Sequence, residues 1–129
     1  MLEEYIKELE EDLRIDELNL KEYQLKLPAI KHKWAGRCIR HKLEIVQLSK
    51  QSENLKKTLI EKIQENAAVK LSVPTVTAAV ENHSDYRSII EQIQQKKLII
   101  ELLEKTEKTL HSATYDVKNI VEIMKLETT

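Results

Sequence analysis

LPAIKHKWAGRCIRHKLEIVQLSKQSENLKKTLIEKI, residues 27–63, is the stretch on which the fold turns. Its apolar or small side chains Leu27, Ile30, Trp34, Cys38, His41, Ile45, Leu48, Ser52, Leu55, Leu59 and Ile63 recur at steps of three or four. Steps of that size lie on one face of an α-helix, and their persistence predicts a helix of about ten turns. Such a helix cannot bury its stripe against itself. It needs a second long helix, from the same chain or from a neighbouring subunit. Pro28 sits where a first helical turn tolerates proline, so the helix is expected to begin near it.

Upstream, Leu2, Ile6, Leu9 and Leu13 mark a short amphipathic helix, with Glu3 and Glu4 where the helix dipole favours anions. Asp16 is placed to cap a further helical turn carrying Leu18 and Leu20. Downstream the pattern decays through ENAAVKLSVPTVTAAVENHSD, residues 65–85, which predicts a connector with a short helix after Pro74. Ser84 is the expected cap of a second long helix striped by Tyr86, Ile89, Ile93, Ile100, Leu103 and Leu110 and widened by Ile90, Ile99 and Leu102. A kink is expected at HSAT, residues 111–114, before a last apolar set of Val117, Ile120, Val121 and Met124.

The expectation is an all-α fold: an elongated helical protomer with two long amphipathic helices plus short flanking helices. It forms one domain over residues 1–129, divided into an acidic helix and a basic helix (1–66), a connector (67–83) and C-terminal helices (84–129). One glycine, two prolines and no phenylalanine among 129 residues leave few turn formers for a β fold. The last long helix carries more apolar surface than one partner helix covers, which points to self-association. A single cysteine excludes an internal disulfide framework and suits a reducing compartment. No signal peptide or membrane-spanning run is evident, so a small soluble domain inside a cell is expected, with no membrane partner.

The net charge of −1 conceals an asymmetry. Residues 1–25 hold nine Asp/Glu against three Lys/Arg, residues 26–62 three against ten, and residues 63–129 ten against eight. The chain is therefore acidic, then strongly basic, then near neutral. This pattern fits either a polyanion-binding segment or an acidic helix docked on a basic one.

Catalysis has no support, because no glycine-rich phosphate loop, nucleophile elbow, H-E-x-x-H or paired zinc cysteines occur; neither an enzyme nor a cofactor is expected. For a metal, Cys38 and His41 share a helix face, but His32 lies well around the helix and no second thiolate exists. Cys38 then reads as a small core residue. Nucleic acid fits better. Lys26, Lys33, Arg37 and Arg40 lie in one arc of the helix, and Lys31, Lys42 and Lys56 on the other flank of the apolar stripe. Spread positive charge suits a phosphate backbone, and Trp34 offers either a stacking face or, from its place in the stripe, a core side chain. Gly36 weakens the helix relative to alanine, which suggests close approach of another backbone. Nothing reads as a duplex-specific motif such as a helix-turn-helix, a zinc finger or a basic zipper.

IDELNL at 15–20, LPAIKHKW at 27–34, LKKTLIEK at 55–62 and DVKNIVEIMKLE at 116–127, in that order, resemble the UvsY family of recombination mediator proteins of T-even-like phages. The resemblance spans almost the whole chain. It implies a single-stranded DNA-binding, ring-like or open-barrel homo-oligomer of six to eight subunits, acting in the cytoplasm of the infected host cell. It further implies partners: a RecA-like phage recombinase, loaded onto DNA, and the phage single-strand-binding protein that occupies that DNA beforehand.

The family's Lys-x-Arg core is matched best by Lys56 and Lys57, but no arginine follows, since Thr58 and Leu59 stand there. EKIQEN, residues 61–66, replaces the adjacent tyrosines and Ser/Thr-Gly pair of many members. The expected DNA-binding set is thus Lys31, Lys33, Arg37, Arg40, Lys42, Lys56 and Lys57. Oligomerisation is expected to use Ile100, Leu103, Leu110, Val117, Ile120, Val121 and Met124. The competing expectation is a structural coiled-coil assembly protein without DNA binding, its basic helix docked on acidic residues 3–17.

Overall fold

The computed structural model describes residues 1–128; Thr129, the last residue of the expected C-terminal segment, lies outside them. The described residues form four helices and no strand: α1 (Leu2–Asp12), α2 (Leu20–Glu65), α3 (Val73–Glu81) and α4 (Ser84–Thr128). No helix among them is long and apolar enough to cross a membrane. All eleven stripe positions from Leu27 to Ile63 are buried or half-buried, as are the nine expected on α4 from Tyr86 to Leu110. The two stripes are therefore the seams of the fold.

The boundaries differ from the sequence expectation in four places. Helix α2 begins at Leu20 and runs through Pro28, which lies inside it. An interior proline removes one backbone hydrogen bond and costs about 3 kcal/mol. Burial of Tyr23 and Leu27 in the turns around it offsets this, at about 1.5–3 kcal/mol for a fully buried large apolar side chain. Asp16 does act as a cap: its Oδ1 accepts from the backbone N–H of Leu18 at 2.8 Å and Asn19 at 2.9 Å, while Asn19 Oδ1 accepts from Asp16 N–H at 2.8 Å. This reciprocal pair closes a turn, and regular helix follows only from Leu20, leaving Leu18 fully exposed instead of on an apolar face.

At the start of α4 the cap is His83, not Ser84. Its Nδ1 accepts from Asp85 N–H at 3.2 Å, and Ser84 is already the first helical residue. No break occurs at HSAT. Ser112 Oγ donates to the Lys108 carbonyl and Ala113 is buried, so the segment's polar group is satisfied along the helix and its small residue faces the core. The expected short helix after Pro74 is α3, capped by Ser72, with Val76 and Val80 buried one turn apart.

Two compact units are distinguished. The first, Met1–Ile39 with the chain from Ile99 onward, has a core of Leu9, Tyr23, Leu27, Trp34, Cys38, Leu103, Leu110, Ala113 and Val117. Buried Thr106 satisfies its hydroxyl on the Leu102 carbonyl at 2.8 Å. The second, Arg40–Leu98, is built on His41, Ser52, Leu59, Val76, Val80 and Ile93.

Candidate nucleic-acid interface

The cations of α2 fall into two groups with different surroundings. In the first unit, Lys33 and Arg37 lie one helical turn apart and face Glu8 and Asp12, also a turn apart on α1. Lys33 Nζ is 2.5 Å from Asp12 Oδ2 and 3.3 Å from Glu8 Oε1. Arg37 grips Glu8 with both terminal nitrogens, Nη1 closely on Oε2 and Nη2 at 3.3 Å from Oε1.

Trp34 sits between the two cations and is completely buried. Its Nε1–H donates to Asp12 Oδ2 at 2.8 Å, and Tyr5 meets its ring edge-on at 5.4 Å. The Arg37 guanidinium lies 4.7 Å from the Trp34 ring centre and 5.1 Å from that of Tyr5, a cation in the corner formed by two aromatic rings. The hydrogen bond from Arg37 pulls the Glu8 carboxyl below its ordinary range, against the opposing effect of burial and with help from Lys33. The same bond raises Arg37.

Lys31, also in the first unit, is half-buried and donates to Thr114 Oγ1 of α4 at 3.3 Å. Of the expected DNA-binding set, these three thus have partners within the protomer.

The other four lie in the second unit. Arg40, Lys42, Lys56 and Lys57 are all exposed, and Arg40, Lys56 and Lys57 make no ion pair among the described residues. Lys50, not singled out in the sequence, is exposed on the same stretch of α2. Inside this unit His41 is buried with Lys96 Nζ 3.3 Å from its Nδ1, and Lys96 is 2.5 Å from Glu44 Oε2. The same His41 Nδ1 lies 3.5 Å from Glu44 Oε2, so ring, ammonium and carboxylate form one cluster. Hydrogen bonding from Lys96, opposed by burial, lowers the Glu44 carboxyl.

Trp34, Cys38 and His41 all belong to the wall of the bundle, while His32 is exposed. Among the described residues no group of three or more His, Cys, Asp or Glu could hold a metal ion. Within the protomer Gly36 is not a point of close approach: a Cβ there would meet nothing within 4 Å.

The residues expected to associate subunits separate in the same way. Ile100, Leu103, Leu110 and Val117 are buried within the protomer. Ile120, Val121 and Met124 are half-buried, and Ile123 and Leu126, absent from the expected set, are exposed beside them. Glu8, Asp12 and Tyr5 were likewise missed as specific contacts. Their signal was the matched one-turn spacing of two carboxylates and two cations, which becomes legible only once α1 is known to lie on α2.

No protein-family model matches the chain, and no curated protein matches it in sequence. Solved structures do. One crystal form of the bacteriophage T4 recombination mediator protein UvsY superposes with a TM-score of 0.84 at 17% identity, covering 98% of both chains. The chain has the UvsY fold. A second crystal form gives a TM-score of 0.83 at 14% identity over 100% of this chain and 98% of the other. A third gives 0.77 at 15% identity over 94% and 96%. The likeness in fold therefore covers nearly the whole of this chain in each comparison.

Proposed function

We propose that this protein is a recombination mediator that binds single-stranded DNA and promotes loading of a RecA-like recombinase onto DNA covered by single-strand-binding protein. The observation that carries this reading is the fold shared with phage T4 UvsY along 98% of both chains. Its setting is the cytoplasm of a phage-infected cell, and its working form is a homo-oligomer of six to eight subunits joined through the half-buried and exposed apolar residues near the end of α4.

In this reading the strand runs on the exposed cations Arg40, Lys42, Lys56 and Lys57 of the second unit. Each subunit supplies a weak, sequence-independent phosphate site, and several such sites acting on one strand reinforce each other. The shape imposed on the strand would favour recombinase nucleation over the competing protein. No nucleotide hydrolysis is required.

The pairs made by Glu8 and Asp12 with Lys33 and Arg37 favour a second reading, a structural helical module whose basic helix serves only assembly. A salt series separates the two. A fluorescent oligo-dT is titrated with the protein while light scattering records particle mass. Four phosphate contacts per subunit predict that log affinity falls with log salt at a slope of about −3 for a single subunit's site, steeper as more subunits engage. Absence of binding at low salt by a multi-subunit particle would establish the structural module instead.

A further inference from the structure

Lys33, Trp34 and Arg37 are two cations flanking an aromatic ring, the composition from which single-strand sites are built. Here α1 occupies all three. Glu8 and Asp12 present carboxylate oxygens to both cations and to the indole N–H, at distances where phosphate oxygens would serve equally.

We propose that these residues form a second single-stranded oligonucleotide site, held closed by α1 as an acidic cover that a strand displaces. The proposal rests on the single-strand binding proposed above and adds its regulation. Three observations make α1 suited to leaving. Of its 11 residues only Leu9 is fully buried, with Leu2, Tyr5 and Ile6 half-buried, so its apolar hold is limited. The turn joining it to α2 is closed by its own hydrogen bonds between Asp16 and Asn19, so α2 keeps its start when α1 moves. The pairs themselves involve side chains that remain partly exposed, Lys33 at 33%, Arg37 at 25% and Glu8 at 37%, where another anion can compete. Departure of α1 removes Tyr5 from Trp34 and uncovers the side of the indole that α1 shields, beside two cations.

The chain's one tryptophan is the reporter. Acrylamide quenching of Trp34 fluorescence is measured in the full-length protein during titration with oligo-dT, with binding followed in parallel by anisotropy of the labelled strand. The proposal expects quenching to rise as the strand binds. It expects E8Q/D12N to bind about fivefold more tightly than the parent chain, with Trp34 already more accessible before DNA is added. It also expects K33Q/R37Q to weaken binding more in the E8Q/D12N background than in the parent.

Circular dichroism checks that each variant is helical; E8Q alone, which leaves the Asp12 contacts in place, repeats the comparison if the double variant unfolds. Binding with Trp34 still shielded, and no gain from E8Q, would overturn the cover while leaving single-strand binding intact. Failure of both parent and E8Q/D12N to bind would overturn both. Binding by E8Q/D12N alone would support the cover.

Discussion

At the scale of single residues, Gly36 illustrates how a compositional oddity differs from a functional one. The only glycine of the chain lies in the middle of α2 in ordinary helical backbone, with open space where its Cβ would be. It contributes helix weakness and no packing within the protomer. Gly36→Ala is therefore expected to stabilise the chain by about 0.5–1 kcal/mol, through helix propensity and reduced freedom of the unfolded chain. The midpoint of urea unfolding checks this; a lower midpoint would place a neighbouring surface against position 36. Trp34 was legible as a stripe residue, but its Nε1–H partner was not. Asp12 is 22 positions away, and only the return of α1 onto α2 brings the two together.

At the scale of elements, α1 is tied down chiefly by charge, and this gives its stability a pH dependence. The Glu8 carboxyl is held below its ordinary value of 4.5 by Arg37 first and Lys33 next, so its contribution is full above that value. It is lost as pH falls through the lowered folded value. Glu44, held by Lys96, behaves in the same sense. Acid titration of folding should therefore show a loss of stability starting below about pH 4.5, and Glu8→Gln should flatten part of that limb while lowering stability at neutral pH by roughly 1 kcal/mol for a partly exposed pair. Urea midpoints at pH 7 and pH 3.5 give the measurement; equal losses at the two pH values would mean that Glu8 is not linked to the titration.

At the scale of the whole molecule, burial within the protomer leaves few apolar side chains for association near the end of α4. Ile123 and Leu126 are 53% and 75% exposed, beside half-buried Ile120, Val121 and Met124. If oligomer assembly uses this face, Ile123→Glu with Leu126→Glu should lower particle mass in light scattering by at least half, with helix content retained. Strand affinity should then fall with the loss of multivalent contact. Unchanged mass would assign the subunit contact elsewhere. Truncation before residue 116 is a less selective test, because it also removes Val117 from the core.

Periodicity, with Pro74 marking the short helix where the pattern decays, determined the helical class and both long stripes, because burial of a helix face imposes a spacing of three to four on the residues that line it. It misplaced the start of α2, since a proline's local preference is weaker than the burial of Tyr23 and Leu27 around it. It also introduced a break at residues 111–114, where polar residues bond back along their own helix. Which cations stay exposed was beyond it. Charge along a chain is one-dimensional, whereas an ion pair is a contact in space; only the tertiary structure placed Glu8 and Asp12 on Lys33 and Arg37 and left Arg40, Lys56 and Lys57 to solvent.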